Sequence, residues 1–525
     1  MNTSRLLRQL SWWYVQLSVA FLAGASIATP ALAQCLPDEL QKVTASDARR
    51  GELYGISVQI LGDLAISGAA WAHVENHRAG AVYSYRKDPN TNQWIQEQKI
   101  FPEDLGPLDW FGRSVDINPV DQNVIIIGAW ANDDAEDCGG SACESGSAYI
   151  FRFDTDLGLW VQEQKLTASD ADPQDYFGWA VSIYGDVAII GAKLDENSGQ
   201  GSGSAYIFQY DHDSGIWNEQ QKLIPPDPSG FGHSISLYED VVLIGSPFED
   251  EFGYGTGAVY SYRMDPDSKV WQLEQRIIAE DASQEDFFGY SVSLDGNTAL
   301  ISAFRADGAV NQTGAAYIFT YGGQQWTQRH KLFSSDGGPF DQFGLSVSLN
   351  GNMAVVAANL NDVGEIYHGS AYIFTFDSEQ WNETAKLIGS DLQLYDTFGT
   401  AADTDGQNII IGAIYYDSEC NVWEHCDSGA AYIYGGLDDC NTNGIMDICD
   451  IANGKSTDKN NNGLPDECDP PACPWDLDNS GSVGASDLIA LFAQWGTTGS
   501  ADFNSDGIVN TADLLILFAN WGPCE

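Results

Sequence analysis

The chain has 525 residues, enough for two or three domains, and its 54 glycines and 12% aromatic content favour short β-strands joined by tight turns over long helices. Its 75 acidic residues against 23 basic ones give a net charge of −52, which excludes the electrostatic footprint needed to hold nucleic acid or an anionic membrane. So much acid serves either solvation or cation binding, and only residue spacing can separate the two.

At the N-terminus, Arg5 and Arg8 precede an apolar run from Trp12 to Ile27 and the small-residue stretch Ala31-Leu32-Ala33. This is the layout of an export signal cleaved after Ala33, so residues 1–33 are expected to be removed and the mature chain to lie outside the cytoplasm. Leu32-Ala33-Gln34-Cys35 approaches a lipobox, but Gln34 stands where a small residue is wanted. No later stretch offers the roughly 20 apolar residues of a spanning helix, so no membrane span is expected. The ten cysteines of an exported chain point to disulfides. Local pairs Cys138 with Cys143 and Cys420 with Cys426 fit their short loops, and Cys473 with Cys524 could clasp the last segment. Cys35, Cys440, Cys449 and Cys468 admit the pairs 35 with 440 and 449 with 468, among other connectivities.

From about residue 38 to 435 the chain repeats itself. An aromatic-Gly pair recurs as Tyr54-Gly55, Phe111-Gly112, Phe177-Gly178, Phe231-Gly232, Phe288-Gly289, Phe343-Gly344 and Phe398-Gly399. Seven units at a nearly constant spacing mark a repeat architecture. In the third unit, Ala180–Ile183, Val187–Ala192, Ser204–Phe208 and Trp217–Leu223 each read as a short strand bounded by turns such as Tyr184-Gly185-Asp186. Four strands per repeat describe a propeller blade, whose faces become buried only when blades stand radially side by side. The predicted fold class is therefore mainly β, a seven-bladed β-propeller. Its seventh unit stops at Tyr434 without a fourth strand, while Glu39-Leu40-Gln41-Lys42-Val43 copies the ending Glu219-Gln220-Gln221-Lys222-Leu223. The N-terminal segment is expected to supply the missing strand.

Phe-Gly followed by Ile-Gly-Ala resembles the FG-GAP repeats of integrin-type propellers. That resemblance implies a ligand- or partner-binding surface, and in integrin-type repeats an Asp-rich calcium loop often lies between the first two strands. Here that position holds only Tyr184-Gly185-Asp186 or Asp295-Gly296-Asn297, too short for such a cage.

Composition changes after Gly435-Gly436. Asp439, Asn441, Asn443 and Asp447, and again Asp458, Asn460, Asn462 and Asp466, set oxygen side chains at alternate positions around Gly444 and Gly463. A hard cation wants six to eight oxygens, and the glycine permits the sharp turn, so Ca2+ is the expected occupant. These loops resemble thrombospondin type 3 repeats, and residues 436–472 are expected to form a calcium-binding linker.

Residues 473–525 hold another duplication. Asp476, Asp478, Ser480, Ser482 and Asp487 match Asp502, Asn504, Asp506, Ile508 and Asp513 at positions one, three, five, seven and twelve of an EF-hand-like loop, with the seventh residue giving its carbonyl. Each loop runs into an apolar helix, at Leu488–Phe492 and Leu514–Phe518, closed by Trp495-Gly496 or Trp521-Gly522. The helices are expected to pack on each other. Loop plus helix, twice, resembles a dockerin type I domain, which implies a small α-helical module docking on a cohesin-like partner. The usually partner-facing positions read Ala485-Ser486 and Thr511-Ala512, which differ between the copies.

Catalysis has no comparable signature. The seven histidines are scattered without a His-Glu-x-x-His pattern. The recurring Gly-x-Ser, as in Gly289-Tyr290-Ser291, reads as structural because it repeats at one place in most blades. Asp109, Asp175, Asp286, Asp341 and Asp396, two residues before their aromatic-Gly pairs, read as Asx-turn residues. No catalytic residues are assigned. The expectation is a secreted, calcium-binding adhesion or interaction protein that takes a protein or polysaccharide ligand on the propeller. Its longest insertions, residues 132–145 and 415–428, are the expected recognition surface. A scaffold-tethered carbohydrate-active protein and a purely structural surface component are the alternatives.

Overall fold

The structure is a computed structural model that describes residues 37–75, 77–133, 143–196, 201–226, 229–308, 310–361, 368–416, 427–437, 447–452, 455–457, 465, 475, 477, 482–497, 499–501, 503–504 and 508–523. Seven four-stranded antiparallel sheets occupy residues 38–435. The third, typical of the set, runs outward from the axis through Phe177–Tyr184, Val187–Ala192, Ser204–Asp211 and Ile216–Leu223. The first strand of each sheet packs on the first strand of the next, and the seventh packs on the first, so the ring is closed. Val187–Ala192 is buried along its whole length, because both its faces meet neighbouring blades. The outermost strand alternates between buried and wet positions.

The seven aromatics of the aromatic-Gly pairs are fully buried. Each meets a buried tyrosine of its own third strand near edge-on, as Phe177 does Tyr206 at 5.3 Å and Phe288 does Tyr317 at 5.6 Å. Such a pair adds about 1 kcal/mol to the area it buries. The glycine that follows has positive φ and lies on the next seam. A Cβ on Gly112, at φ +86, would sit 2.7 Å from the Ala81 carbonyl oxygen of the preceding blade. The aromatic-Gly signature is therefore a packing device that joins blades.

Closure occurs as the sequence leads one to expect. The seventh sheet orders Phe398–Thr404, Ile409–Ala413, Ala430–Gly435 and then Asp38–Val43, with Val43 opposite Ala431 and Asp38 opposite Gly435. Two further bonds repeat around the ring, and the N-terminal strand completes both. In blade three the Tyr206 hydroxyl (2.8 Å) and Lys222 Nζ (2.7 Å) both donate to Asp170. In blade seven Tyr432 (2.8 Å) and Lys42 (2.5 Å) do the same to Asp391. Gln164 exchanges two bonds of 2.8 Å with the backbone of Trp217 in the following blade, and Gln41 makes the same exchange with Trp94. A glutamine amide thus imitates one rung of a β-ladder between sheets that share none.

At the C-terminal end lie helices Ala485–Ala493 and Thr511–Ala519, after a short helix at Asp447–Ala452. Val483, Leu491, Ala501, Val509 and Leu517 form a small core. The helices pack on each other only in part. Ile489, Phe492 and Trp495 stay exposed, and so do their counterparts Leu515, Phe518 and Trp521. Nine residues make two and a half turns, so one stripe of each helix can reach the core and the opposite stripe cannot. The strand Ser482–Val483 pairs with Gly522–Pro523, and Val509 bonds Gly496 and Thr497, so the loop of each copy is tied to the tail of the other. No helix among the described residues is long and apolar enough to cross a membrane.

Candidate ligand site at the mouth of the axial channel

The residue after each aromatic-Gly pair stands at the start of the inner strand or just before it and lines the axis. These seven are Ile56, Arg113, Trp179, His233, Tyr290, Leu345 and Thr400, and together they line a mouth of about 350 Å³. Blades one, six and seven contribute bland side chains, whereas blades two to five contribute a guanidinium, an indole, an imidazole and a phenol. Ser57, Ser114 and Ser234 sit one step further in and donate to carbonyls of the next blade, at Gly112 (2.8 Å), Gly178 (3.0 Å) and Gly289 (2.8 Å). Ser291 and Ser346 instead accept from Val347 (3.2 Å) and Ala402 (3.0 Å). The recurring Gly-x-Ser is thus a seam between blades.

An arc of aromatic rings borders the same side. Trp71 touches Trp110 at 5.1 Å, Trp110 touches Trp130 at 5.4 Å, Trp130 touches Trp179 at 5.5 Å, and Trp179 leads to His233 at 5.8 Å and Tyr290 beyond at 4.6 Å. Trp110, Tyr176 and Phe287 occupy the position just before their aromatic-Gly pairs, with φ of 59°, 60° and 56°. A bulky L-residue in the left-handed region costs roughly 1–2 kcal/mol, and because Leu53, Gln342 and Thr397 adopt it at the same place it is a turn of the repeat, not a mark of the site.

Several cations face this arc, Arg78 at Trp71 and Arg305 at Phe287 among them, and two share the indole of Trp179. Arg113 lies with Cζ 4.7 Å from the Trp179 ring centre and Lys193 with Nζ 2.8 Å from it. Neither forms an ion pair with any described residue, although the chain carries three times more acid than base. Burial, and then the neighbouring Arg113, lower Lys193 to about 7. Burial, then Lys193 and Arg113, lower His233 to about 3, so at neutral pH its ring is uncharged, with Nδ1 donating to the Tyr290 carbonyl at 3.2 Å. Uncompensated positive charge at a half-buried aromatic mouth is a place for negative charge to bind.

The opposite mouth, about 330 Å³, is acidic and structural. Asp116 accepts from the Ile183 amide (2.8 Å) and Ser182 hydroxyl (3.0 Å), and Asp403 from the Ile60 amide (2.9 Å) and Ser348 hydroxyl (2.8 Å). Ser182, Ser236 and Ser293 take the same inter-blade amide bond between them. Burial raises Asp116 and Asp403 to about 7 each. Because these folded values lie above the ordinary 3.8, the native state binds more protons than the unfolded chain between about pH 4 and 7, and the associated stability fades as pH rises through 7. Asp116 and Asp403 should therefore favour pH 5 over pH 8 by roughly 3 kcal/mol each at most, opposed in part by His233 and Lys193, whose lowered values favour the higher pH. Relative to the unsubstituted protein, Asp116→Asn should melt comparatively better at pH 8 than at pH 5, and an unchanged pH dependence in that variant would contradict the assignment.

Asp109, Asp175, Asp286, Asp341 and Asp396 are structural, but not as Asx turns. Each carboxylate reaches back to the amide three residues earlier, at Gly106, Asp172, Ser283, Gly338 and Gln393, over 2.6–2.7 Å. The left-handed residue that follows turns the chain away, so the forward amide is out of reach.

Of the expected calcium ligands, Asp439, Asn441, Asn443, Asp458, Asn460, Asn462, Asp466, Asp476, Asp478, Ser480, Asp502 and Asp506 lie outside the described residues, as do most of both long insertions. Asp447 is buried at the start of its helix. Asp487 and Asp513, the twelfth loop positions, are fully buried and equivalent. Asp513 accepts amides from Phe503 (2.8 Å), Asn504 (3.2 Å) and Asn510 (2.9 Å), and Asp487 accepts from Leu477 (2.7 Å) and Gly484 (2.8 Å). Each carboxylate thus closes its own loop onto the helix that follows. Ser482 and Ile508 are exposed. Among the described residues no three metal-ligating side chains converge. Cys143 is disulfide-bonded.

A closed seven-bladed ring with chemically varied residues at one axial mouth defines a β-propeller of the ligand-interaction kind. The chain belongs to the FG-GAP repeat family, which matches residues 37–85, 94–151, 160–208, 217–262, 271–319, 326–374 and 381–434. No curated protein matches it. Among solved structures it is similar to two proteins provisionally labelled 6-phosphogluconolactonase. For the one from Bacteroides uniformis ATCC 8492, identity is 12% with a TM-score of 0.46, over 68% of this chain and 93% of that one. For the one from Bacteroides fragilis NCTC 9343, identity is 12% with a TM-score of 0.42, over 67% and 90%. Likeness at that level says nothing of this chain's chemistry.

Proposed function

We propose that this is an exported, non-catalytic interaction protein. Its propeller captures a ligand at the axial mouth, and its C-terminal calcium loops rigidify and tether it. One observation carries the reading: a single repeat position holds Arg113, Trp179, His233 and Tyr290 in four consecutive blades and Ile56, Leu345 and Thr400 in the other three. Packing alone has no need of that asymmetry, since bland residues fill the equivalent place equally well. The export layout at residues 1–33 and the duplicated Asp and Asn spacings after residue 436 support secretion and Ca2+ binding. The exposed pairs Phe492 with Trp495 and Phe518 with Trp521 support a docking role for the last module, with a cohesin-like domain as one candidate partner.

The test is a panel of polysaccharides and extracellular proteins offered to the full mature chain. Binding without turnover is expected, lost in Trp179→Ala while the melting profile is kept. Turnover of any glycan would favour the carbohydrate-active alternative, and retention of every interaction by Trp179→Ala would remove the axial mouth from the reading.

A further inference from the structure

We propose that the axial mouth takes a small acidic sugar, or the acidic terminal residue of a glycan, with its carboxylate or sulfate held between Arg113 and Lys193 and its ring against the aromatic arc. The proposal rests on the reading of the mouth as a ligand site and adds the ligand's chemistry. Arg113 and Trp179 line the cavity, and Lys193 borders it across the indole of Trp179. Three features select that chemistry together.

The first is charge. The lysines that lie over third-strand tyrosines are matched by acid, as Lys222 over Tyr206 is by Asp170 and Asp195, whereas the arginines beside the arc, Arg78 near Trp71 and Arg305 near Phe304, form no ion pair with a described residue. Arg113 and Lys193 share one indole without such a partner among the described residues. Buried like charges repel, and an oxyanion between them would relieve that repulsion while gaining charge-assisted hydrogen bonds. His233, neutral and bonded to the Tyr290 carbonyl, adds no third charge.

The second is the wall. Ser57, Ser114, Ser234, Ser291 and Ser346 line the mouth, and each keeps at least one acceptor lone pair after its inter-blade bond. A ring of hydroxyls beside aromatic faces suits a molecule that has hydroxyls on its edge and C–H groups on its face. A plain aromatic acid would leave the hydroxyls unused, and an acidic peptide side chain has no ring to lay on Trp179 or Tyr290.

The third is size and surroundings. About 350 Å³ lies at the small end of ligand pockets and accommodates one or two rings. Those parts of a long polyanion that lie more than a Debye length, roughly 8 Å, from Arg113 and Lys193 gain nothing from these cations and come up against the surface of a chain with net charge −52. A single acid group entering end-on meets the cations without bringing a charged polymer against the rest of that surface.

Titration calorimetry on the full mature chain tests this with glucuronate, a glucuronate-ended disaccharide, a monosaccharide sulfate, methyl glucoside and poly-glutamate as probes. The uronate or sulfate probes should bind at least about tenfold more tightly than methyl glucoside. Arg113→Met and Lys193→Met should each weaken them about tenfold or more, without loss of the propeller's melting transition. Lys193→Arg, which keeps the charge, should retain most of the affinity and guards against a variant that merely misfolds. Equal binding of the charged and neutral sugars, unchanged affinity in the Arg113→Met and Lys193→Met double variant, or poly-glutamate binding as tightly as the uronate would each overturn the proposal. Should some other ligand of the wider panel bind and be lost in Trp179→Ala while no acidic sugar is preferred, the mouth remains a ligand site and only this assignment falls.

Discussion

A chain that begins at Thr44 is expected to melt at least about 10 °C below the mature protein and to lose its single cooperative propeller transition. The segment it lacks is short, but several kinds of contact depend on it. Asp38–Val43 supplies the outer ladder of blade seven, and Val43 is buried. Glu39 accepts from the Ser390 amide (2.8 Å) and hydroxyl (2.9 Å). Gln41 holds the seam to Trp94, and Lys42 completes the Asp391 cluster and meets the Tyr416 hydroxyl at 2.5 Å. Each bond contributes only about 1 kcal/mol net, but their common loss opens the ring and wets two blade faces at once. The size of the effect comes from that cooperativity, as expected for an array in which every unit is stabilised by its neighbours. Differential scanning calorimetry of the truncated chain measures it, and a peptide of residues 37–43 added in excess should recover part of the shift. Unaltered melting would mean that the strand merely decorates the edge.

Chelation of calcium should act as strongly on the other end of the molecule. In calorimetry of the full chain, a small transition belonging to the C-terminal module is expected to move by on the order of 3–4 kcal/mol of apparent stability between chelator and saturating Ca2+, while the propeller transition stays in place. The module's described core is five buried residues with five half-buried ones packed on them, too few to hold fifty residues together without added constraint. Metal-bound loops would supply it. Asp502→Ala should weaken Ca2+ binding more than Asp476→Ala, because the loop it starts has Asp506 and Asn510 where the first has Ser480 and Gly484. Equal losses would undo that ranking, and an unmoved transition would contradict Ca2+ at these loops altogether.

The architecture was legible because a repeat announces itself: one aromatic-Gly pair read seven times left few alternatives, and the missing fourth strand of the last unit led directly to Glu39–Val43. Each signature residue is also explained by a contact that sequence spacing encodes, such as Phe177 on Tyr206. The proposed axial site was not legible in the same way. Attention to insertions pointed at residues 132–145 and 415–428, whereas Arg113, Trp179, His233 and Tyr290 converge from four blades without any insertion at all. Their signal was present as variation at one aligned position inside an otherwise monotonous repeat, but it acquires meaning only when the ring places those positions side by side. Lys193 was harder still, since it follows Gly191-Ala192 in the second strand and meets Arg113 only through the indole of Trp179. The backward reach of Asp109 and its equivalents depends on the left-handed residue that follows, a conformation the letters Trp, Tyr or Phe give no reason to expect.

The closing strand also sets a schedule. Lys42 and its partner Asp391 are 349 residues apart, an interval of roughly half a minute at ordinary rates of synthesis. Until the seventh blade emerges, a newborn chain has a ready ladder at its head with no edge to receive it, and afterwards an open edge at its tail that accepts any copy of that ladder. Two molecules finishing together can therefore trade heads, each sealing the other's ring, and dilution during refolding should decide between sealed monomers and head-to-tail exchanged strings.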